Sequence, residues 1–251
     1  MPLERIPAIL LVGLAIHISL TAPTPPTPKN ERRIGDGLAE INWLVRVIKA
    51  SHLVAFQIYY KLVTSLKAGY WMCAIIELYI VLAGTKSEST WSQGVLALLL
   101  PNGKHPDCIR LTPTTTLAMV LVVLGAAIRY CCFREMGRNF TFHVTLLKNH
   151  KLVTTGPYGV VRHPSYTGGV LMAIGKVIWY TARGSWLRES MIYQMKLSWL
   201  FITPVMLSIS QCFVNIPRRI PVEDEMLKRE FGKEWDEWAK AVPYRLFPWV
   251  Y

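Results

Sequence analysis

The chain has 251 residues, 52% of them apolar, with 28 Lys and Arg against 16 Asp and Glu, for a formal charge of +12. Repeated near-uncharged runs of about 20 residues, the length that spans a bilayer, exclude an ordinary soluble domain and point to an all-α integral membrane protein. The basic excess is spread between the apolar runs rather than gathered on one aromatic and basic face. It therefore argues for Lys and Arg flanking spans beside anionic lipid, and against nucleic-acid binding.

The first apolar run covers residues 3 to 20 and is read as a retained span rather than a signal peptide, since the rest of the chain is already committed to the membrane. Pro23, Pro25, Pro26 and Pro28 then impose an extended linker. From Glu31 to Ala50 the pattern is amphipathic, with Arg32, Arg33, Arg46 and Lys49 among Leu38, Ile41, Trp43, Leu44 and Val47, which predicts an interfacial helix. Residues 51 to 66 and 68 to 84, separated by Lys67, predict a tight hairpin of two helices. Trp91 to Leu100 is too short to cross alone, and Pro101-Asn102-Gly103 ends it; the pattern leaves open whether it dips into the bilayer or packs on the surface.

Thr114 to Cys132 is the clearest span. A further helix is predicted over Gly168 to Tyr180, and a last span over 195 to 216, kinked at Pro204 and stopping at Pro217-Arg218-Arg219. The expected total is about six transmembrane helices, within a range of five to seven. The Arg- and Lys-rich segments 134 to 165 and 217 to 251 fall on one side, and the positive-inside bias makes that side cytosolic, leaving the N-terminal orientation open. The tail from Val222 to Lys240 carries Met226, Leu227, Phe231, Trp235 and Trp238 at spacings near three and four, the pattern of an amphipathic helix. Residues 1–112 are thus N-terminal helices and linkers, and 113–251 the segment that carries the chemistry.

Five cysteines, Cys73, Cys108, Cys131, Cys132 and Cys212, show neither metal-ligand spacing nor a disulfide framework, and read mostly as small packing residues. No metal site is expected. Chemistry concentrates instead in the polar stretch from His150 to Gly168, where Gly156-Pro157 and His163-Pro164 break any continuous helix.

His150-Lys151-Leu152-Val153, Gly156-Pro157-Tyr158, Arg162-His163-Pro164-Ser165-Tyr166-Thr167-Gly168, then Arg219-Ile-Pro-Val-Glu223-Asp-Glu225-Met-Leu227 and Phe231-Gly232, resemble in order and spacing the isoprenylcysteine carboxyl methyltransferase family. The resemblance covers roughly residues 115 to 251. Arg-His-Pro-x-Tyr-x-Gly alone is also similar to membrane methyltransferases of phospholipids and to some sterol reductases; the second block sharpens the assignment. The resemblance implies S-adenosyl-L-methionine as cofactor, lined by His150, Lys151, Leu152, Val153, Tyr158, His163, Pro164, Ser165, Tyr166 and Glu223, with Arg219 facing the substrate as the catalytic residue. It also implies prenylated protein C-termini as partners and the endoplasmic reticulum membrane as location, with the catalytic face cytosolic. Pro221, between Arg219 and Glu223, departs from the family's pattern and bears on the spacing of the two.

A prenylcysteine carboxylate is ionised at neutral pH, since an α-carboxyl titrates near about 3.5, so its methyl esterification needs no general base. Guanidinium at Arg219 suits the task of holding one carboxylate oxygen, while Arg218 reads as a positive-inside residue. Glu223 either accepts hydrogen bonds from the cofactor or supplies negative charge to a helix N-terminus beginning at Glu223-Asp224-Glu225. His163 contacts the cofactor or fixes a turn; Tyr158 and Tyr166 pack on adenine or mark the interface. Gly156, Gly168 and Gly169 allow close approach of cofactor or of a neighbouring helix. Alternative readings are a membrane methyltransferase acting on a phospholipid amine, and a non-catalytic isoprenoid-binding protein.

Overall fold

The computed structural model describes residues 2–21, 32–33, 42–85, 90–100, 104–140, 146–147, 150–190 and 199–250. Its elements are α1 (Arg5–Ser19), β1 (Arg32–Arg33), α2 (Asn42–Thr85), α3 (Thr90–Leu99), α4 (Pro113–Met136), β2 (Leu146–Leu147), α5 (Pro164–Thr181), α6 (Trp186–Glu189), α7 (Trp199–Ser210), α8 (Ile216–Phe231) and α9 (Lys233–Ala241). The expected helical architecture holds. Among the described residues the strands are one two-residue antiparallel pair, Arg32 with Leu147 and Arg33 with Leu146. The proline linker at 23–28 lies outside the described residues. Of the interfacial helix expected over 31 to 50, Arg32–Arg33 is instead the strand β1, because its backbone pairs with Leu146–Leu147, and 42 to 50 is the first part of α2; residues 31 and 34–41 lie outside the described residues.

The centre of the molecule is the antiparallel pair α4 and α5. Small residues set its closeness: a Cβ at Gly125 would lie 2.5 Å from the Gly168 carbonyl oxygen, and one at Gly175 would lie 2.8 Å from that of Ala118. Backbone contact at such range is how apolar helices associate where the hydrophobic effect between them is weak. Gly168 thus serves a neighbouring helix. Around this pair α1 buries Ala8, Ile9, Val12 and Ile16, and α2 buries Tyr70, Cys73, Ile80 and Val81.

Where helices were expected to break, the chain runs on. Residues 51 to 84 form no hairpin; they belong to the single helix α2, because Lys67 is a good helix former and nothing nearby removes a backbone donor. Nor does the last span stop at Pro217. A π-helical turn over Gln211–Asn215 passes directly into α8, and Pro217 occupies its first turn, where a missing N–H costs little. The predicted amphipathic helix over 222 to 240 is divided, α8 ending and α9 beginning at Gly232, whose φ of +53° suits glycine. Among the described residues two segments, Val63–Thr85 and Pro113–Asn139, are long and apolar enough to cross a membrane, and α1 is a shorter apolar helix.

The helices connect two ends. At one end Arg5 and Glu77, 0% and 2% exposed, pair at 3.1 Å; Glu77 also accepts the Trp186 amide (2.9 Å), and Arg5 donates to the Arg110 carbonyl (2.8 Å) and lies over the Trp179 ring. Two buried charges are tolerable there because each is met by hydrogen bonds. α3 stays at that end, its Leu99 carbonyl accepting the Trp186 indole. The opposite end of α4, whose 24 residues span about 36 Å, meets the segment 150–165. α1, α2, α4, α5 and α7 all run between the two ends. Both Arg- and Lys-rich segments meet at the second one, through the His163 contacts with Glu223 and Asp224.

Candidate active site

His163 is placed by its neighbour Pro164, which opens α5 at the position where a proline fits a helix. With helical phase resumed at once, Tyr166 lies one turn on, and the two rings stack with centroids 5.7 Å apart. Across from them α8 presents Arg219, Glu223 and Asp224. Pro221 is inside α8 without disturbing the i,i+4 relation: Arg219 Nη2 donates to Glu223 Oε1 at 3.1 Å. The departure seen in the sequence therefore leaves the spacing of the two intact.

Glu223 is the centre of this arrangement. Its carboxylate accepts from the Tyr166 hydroxyl and from Arg219, and its Oε2 lies 3.6 Å from His163 Nδ1. The Arg219 guanidinium also sits 5.6 Å from the Tyr166 ring centroid. Because α8 begins at Ile216, two turns earlier, the acids are not a helix N-terminus, and the dipole explanation for Glu223 falls. Burial pushes the Glu223 carboxyl up, but hydrogen bonds from His163 and Tyr166 and the Arg219 charge outweigh it and hold it below its usual range. Burial likewise lowers His163, yet its bonds to Asp224 and Glu223 prevail and raise it above its usual value.

Asp224 was not singled out from the sequence. Buried at 7% exposure, it lies 2.9 Å from His163 Nε2, 3.2 Å from Arg162 and 3.5 Å from Arg245. Adjacency to Glu223 was the available signal for Asp224, and adjacency to His163 for Arg162. Arg245 offered none. Arg129, a charge on the apolar helix α4, was also passed over; it donates to Ser165 Oγ (3.1 Å), the Ser165 carbonyl (3.2 Å) and the Ser19 carbonyl (3.2 Å), binding α1, α4 and α5 at this end.

The remaining expected residues are distributed differently. Tyr158 is buried, its hydroxyl donating to Met136 Sδ and its carbonyl accepting the Trp238 indole. Leu152 and Val153 pack with Tyr158, Trp235, Trp238 and Phe231 in a second apolar cluster beneath α8 and α9. His150 stands 6.0 Å from the Phe231 ring, with its imidazole pushed down by burial against the opposing Glu230 charge. Lys151 is exposed, Pro164 is buried, and Ser165 turns to Arg129.

Among the buried polar atoms of these segments, Asp224 Oδ2 is met by the Arg162 and Arg245 charges without a hydrogen bond, while His150 Nδ1, Arg219 Nε and Trp235 Nε1 have no hydrogen-bond partner among the described residues. Buried polar groups are seldom left so. Together with the Glu223 carboxylate they present donors and one anionic acceptor, a set that fits a cationic group carrying amino, hydroxyl and ring-nitrogen functions.

Residues 117–203 match the Isoprenylcysteine carboxyl methyltransferase (ICMT) family. That is the family the motifs resemble. The matched stretch carries α4, the His163 turn and α5, while Arg219 and Glu223 lie beyond it. Protein-S-isoprenylcysteine O-methyltransferase B of Arabidopsis thaliana is 28% identical over 131 residues, 51% of this chain and 57% of its own length. A probable protein-S-isoprenylcysteine O-methyltransferase of Oryza sativa subsp. indica is 30% identical over 129 residues, covering 50% and 57%. In Schizosaccharomyces pombe the enzyme of the same name is 25% identical over 199 residues, covering 67% and 76%. The chain thus spans little more than half the length of the plant relatives it matches.

Proposed function

We propose that this chain is an S-adenosyl-L-methionine-dependent methyltransferase that esterifies the C-terminal carboxylate of prenylated cysteine. The observation that carries the reading is the convergence of His163, Tyr166, Arg219 and Glu223 at one end of an apolar helix bundle, the first two from the stretch that matches the family and the last two from α8 beyond it. Prenylated protein C-termini are the partners, the isoprenoid staying in the bilayer while the carboxylate reaches the polar end.

When bound, the cofactor supplies an electrophilic methyl group on a sulfonium. Glu223, kept ionised by its three partners, offers negative charge to that cation, and His150, Trp235, His163 and Tyr166 supply polar and aromatic surface; Lys151, Leu152, Val153, Tyr158, Pro164 and Ser165 belong to the same loop and shape it. Arg219 keeps one guanidinium face on Glu223 and has Nε left over for a carboxylate, so one residue positions acceptor beside donor. An ionised carboxylate needs no proton removed, so orientation and exclusion of water are the work required of the protein.

The membrane reading follows the same frame. α1, α2, α4, α5 and α7 are the spans, five where the sequence pattern alone gives six, with α3 held at the far end. The site end carries Arg134, Arg138, Lys151, Arg162, Arg218 and Arg219, and the positive-inside rule makes it cytosolic; the endoplasmic reticulum is the compartment proposed.

The test is direct. Membranes carrying the chain are given labelled S-adenosyl-L-methionine and N-acetyl-S-farnesylcysteine, and base-labile methyl ester is measured for the parent, Arg219→Ala and Glu223→Ala. Ester formed by the parent and lost in both variants is the expected result. Absence of ester from the parent, or full activity in both variants, overturns it.

A further inference from the structure

Asp224 gathers three basic side chains from two parts of the chain: His163 and the adjacent Arg162 from the turn before α5, and Arg245 from the C-terminal segment after α9. That last segment does more than supply one side chain. The Tyr244 carbonyl accepts the Arg162 amide and the Arg245 carbonyl the His163 amide, both at 2.9 Å. One turn further on, the Leu246 carbonyl accepts the Thr167 hydroxyl at 2.6 Å, and the Pro243 carbonyl accepts from the Arg162 guanidinium. Residues 243–246 therefore lie as a strap across the opening turn of α5, occupying backbone donors that a helix N-terminus leaves unused.

We infer that Asp224 is the positioning residue of the site, turning the His163 ring so that Nδ1 faces Glu223 and clamping the C-terminal strap onto the turn that carries His163. The geometry leaves each nitrogen of His163 with its own carboxylate, Nε2 at 2.9 Å from Asp224 and Nδ1 at 3.6 Å from Glu223. With Nε2 held, the ring cannot rotate without giving up the shorter contact. Asp224 meets the guanidinium groups of Arg162 and Arg245 by its other oxygen, so the ring and the strap share one anchor. The position of Glu223, and hence of Arg219 one turn away on α8, then depends on the neighbouring carboxylate of Asp224. This inference deepens the methyltransferase reading and rests on it for its activity arm alone.

The groups facing His163 are Glu223 and Asp224 from α8, Arg162 from its own turn, Arg245 from the strap, Tyr166 from α5 and, through Glu223, Arg219. Removing the Asp224 charge takes away the strongest influence favouring protonated His163, while the burial that disfavours it remains.

Two readouts test the inference on the full chain in detergent or nanodiscs. Hydrogen exchange at the Arg162 and His163 amides reports strap docking without any reference to activity, and the pH profile of ester formation reports His163. Asp224→Asn is expected to speed exchange at those two amides on the order of tenfold or more, as expected when a buried charge-assisted anchor is lost. It is also expected to move the alkaline limb of the profile toward acid. Asp224→Glu, which keeps the charge, should recover part of both. Arg245→Ala should loosen the same amides while leaving the limb in place, and serves where Asp224→Asn does not fold. Unchanged exchange in Arg245→Ala and Asp224→Asn, or an unmoved limb in Asp224→Asn, overturns the inference. Absence of ester from the parent chain overturns the proposed reaction instead, and the exchange arm still decides the role of Asp224.

Discussion

The molecule has two charged clusters at opposite ends of the same helices, and they are built to different rules. At the far end Arg5 and Glu77 are sealed from solvent and satisfied by each other, by the Trp186 amide and by the Arg110 carbonyl. At the site end Arg219 and Glu223 stay partly exposed, and buried polar atoms of Arg219, His150 and Trp235 are without protein partners among the described residues. A closed set of hydrogen bonds holds helices together and has nothing left to offer a ligand. The open set has capacity to spare, and that distinction separates a structural ion pair from a site more reliably than burial alone.

Breaking the closed cluster gives the largest effect on stability. Glu77→Ala strands the Arg5 guanidinium in the core and should cost about 3–5 kcal/mol, read as a fall in thermal midpoint in detergent, as for other buried pairs deprived of one partner. Glu77→Ala together with Arg5→Leu should recover much of that loss, which would show that the penalty lies in the orphaned charge.

Breaking the open cluster should act on activity. Arg219→Ala removes a charge-assisted contact and is expected to lower ester formation on the order of a hundredfold, about 3 kcal/mol, with little change in thermal midpoint. Equal losses of stability in Arg219→Ala and Glu77→Ala would erase the contrast between the clusters.

Titration sharpens it further. His163 is raised above its usual 6.5, so the stabilisation it gains from its carboxylates is complete below 6.5 and is lost as pH rises through the higher folded value. Glu223 is lowered from its usual 4.5, so its contribution is present above 4.5 and is lost as pH falls through the lower folded value. Stability measured from pH 6 upward should therefore decline in the parent chain and flatten in His163→Gln. The smallest effect is expected for Arg229→Ala: its pair with Glu225 at 2.7 Å is exposed on both sides, so the change should stay under about 1 kcal/mol and vanish in salt.

Much of the site was legible in the order of residues. The His163-Pro164 and Arg219-to-Glu223 spacings bring those groups together because each spacing is one helical turn or less, a relation that survives any packing. Ser165 and Tyr158 show the limit. Both stand in the same motif, yet Ser165 turns to Arg129 and the Tyr158 hydroxyl to Met136, since which face of a turn looks inward depends on the helix packed against it. Arg245 is further still from any local signal, eighty-two residues from His163, with its carbonyl on the His163 amide and its side chain reaching the ring's partner Asp224 on a third element.

Composition and apolar run length, by themselves, determined that this chain is helical and suited to a membrane, because spanning a bilayer constrains hydrogen bonding so tightly that length and charge suffice to reveal it. The polar, turn-rich stretch 150–168 between apolar runs is where the sequence pattern leads chemistry to be expected, and the motif resemblance adds the residues around Glu223. Only the tertiary structure decided that α2 runs unbroken past Lys67, that α7 passes through a π turn into α8, and that Asp224 ties the strap to His163. Those outcomes rest on whether a backbone donor or a buried charge finds a partner, and the partners come from distant parts of the chain.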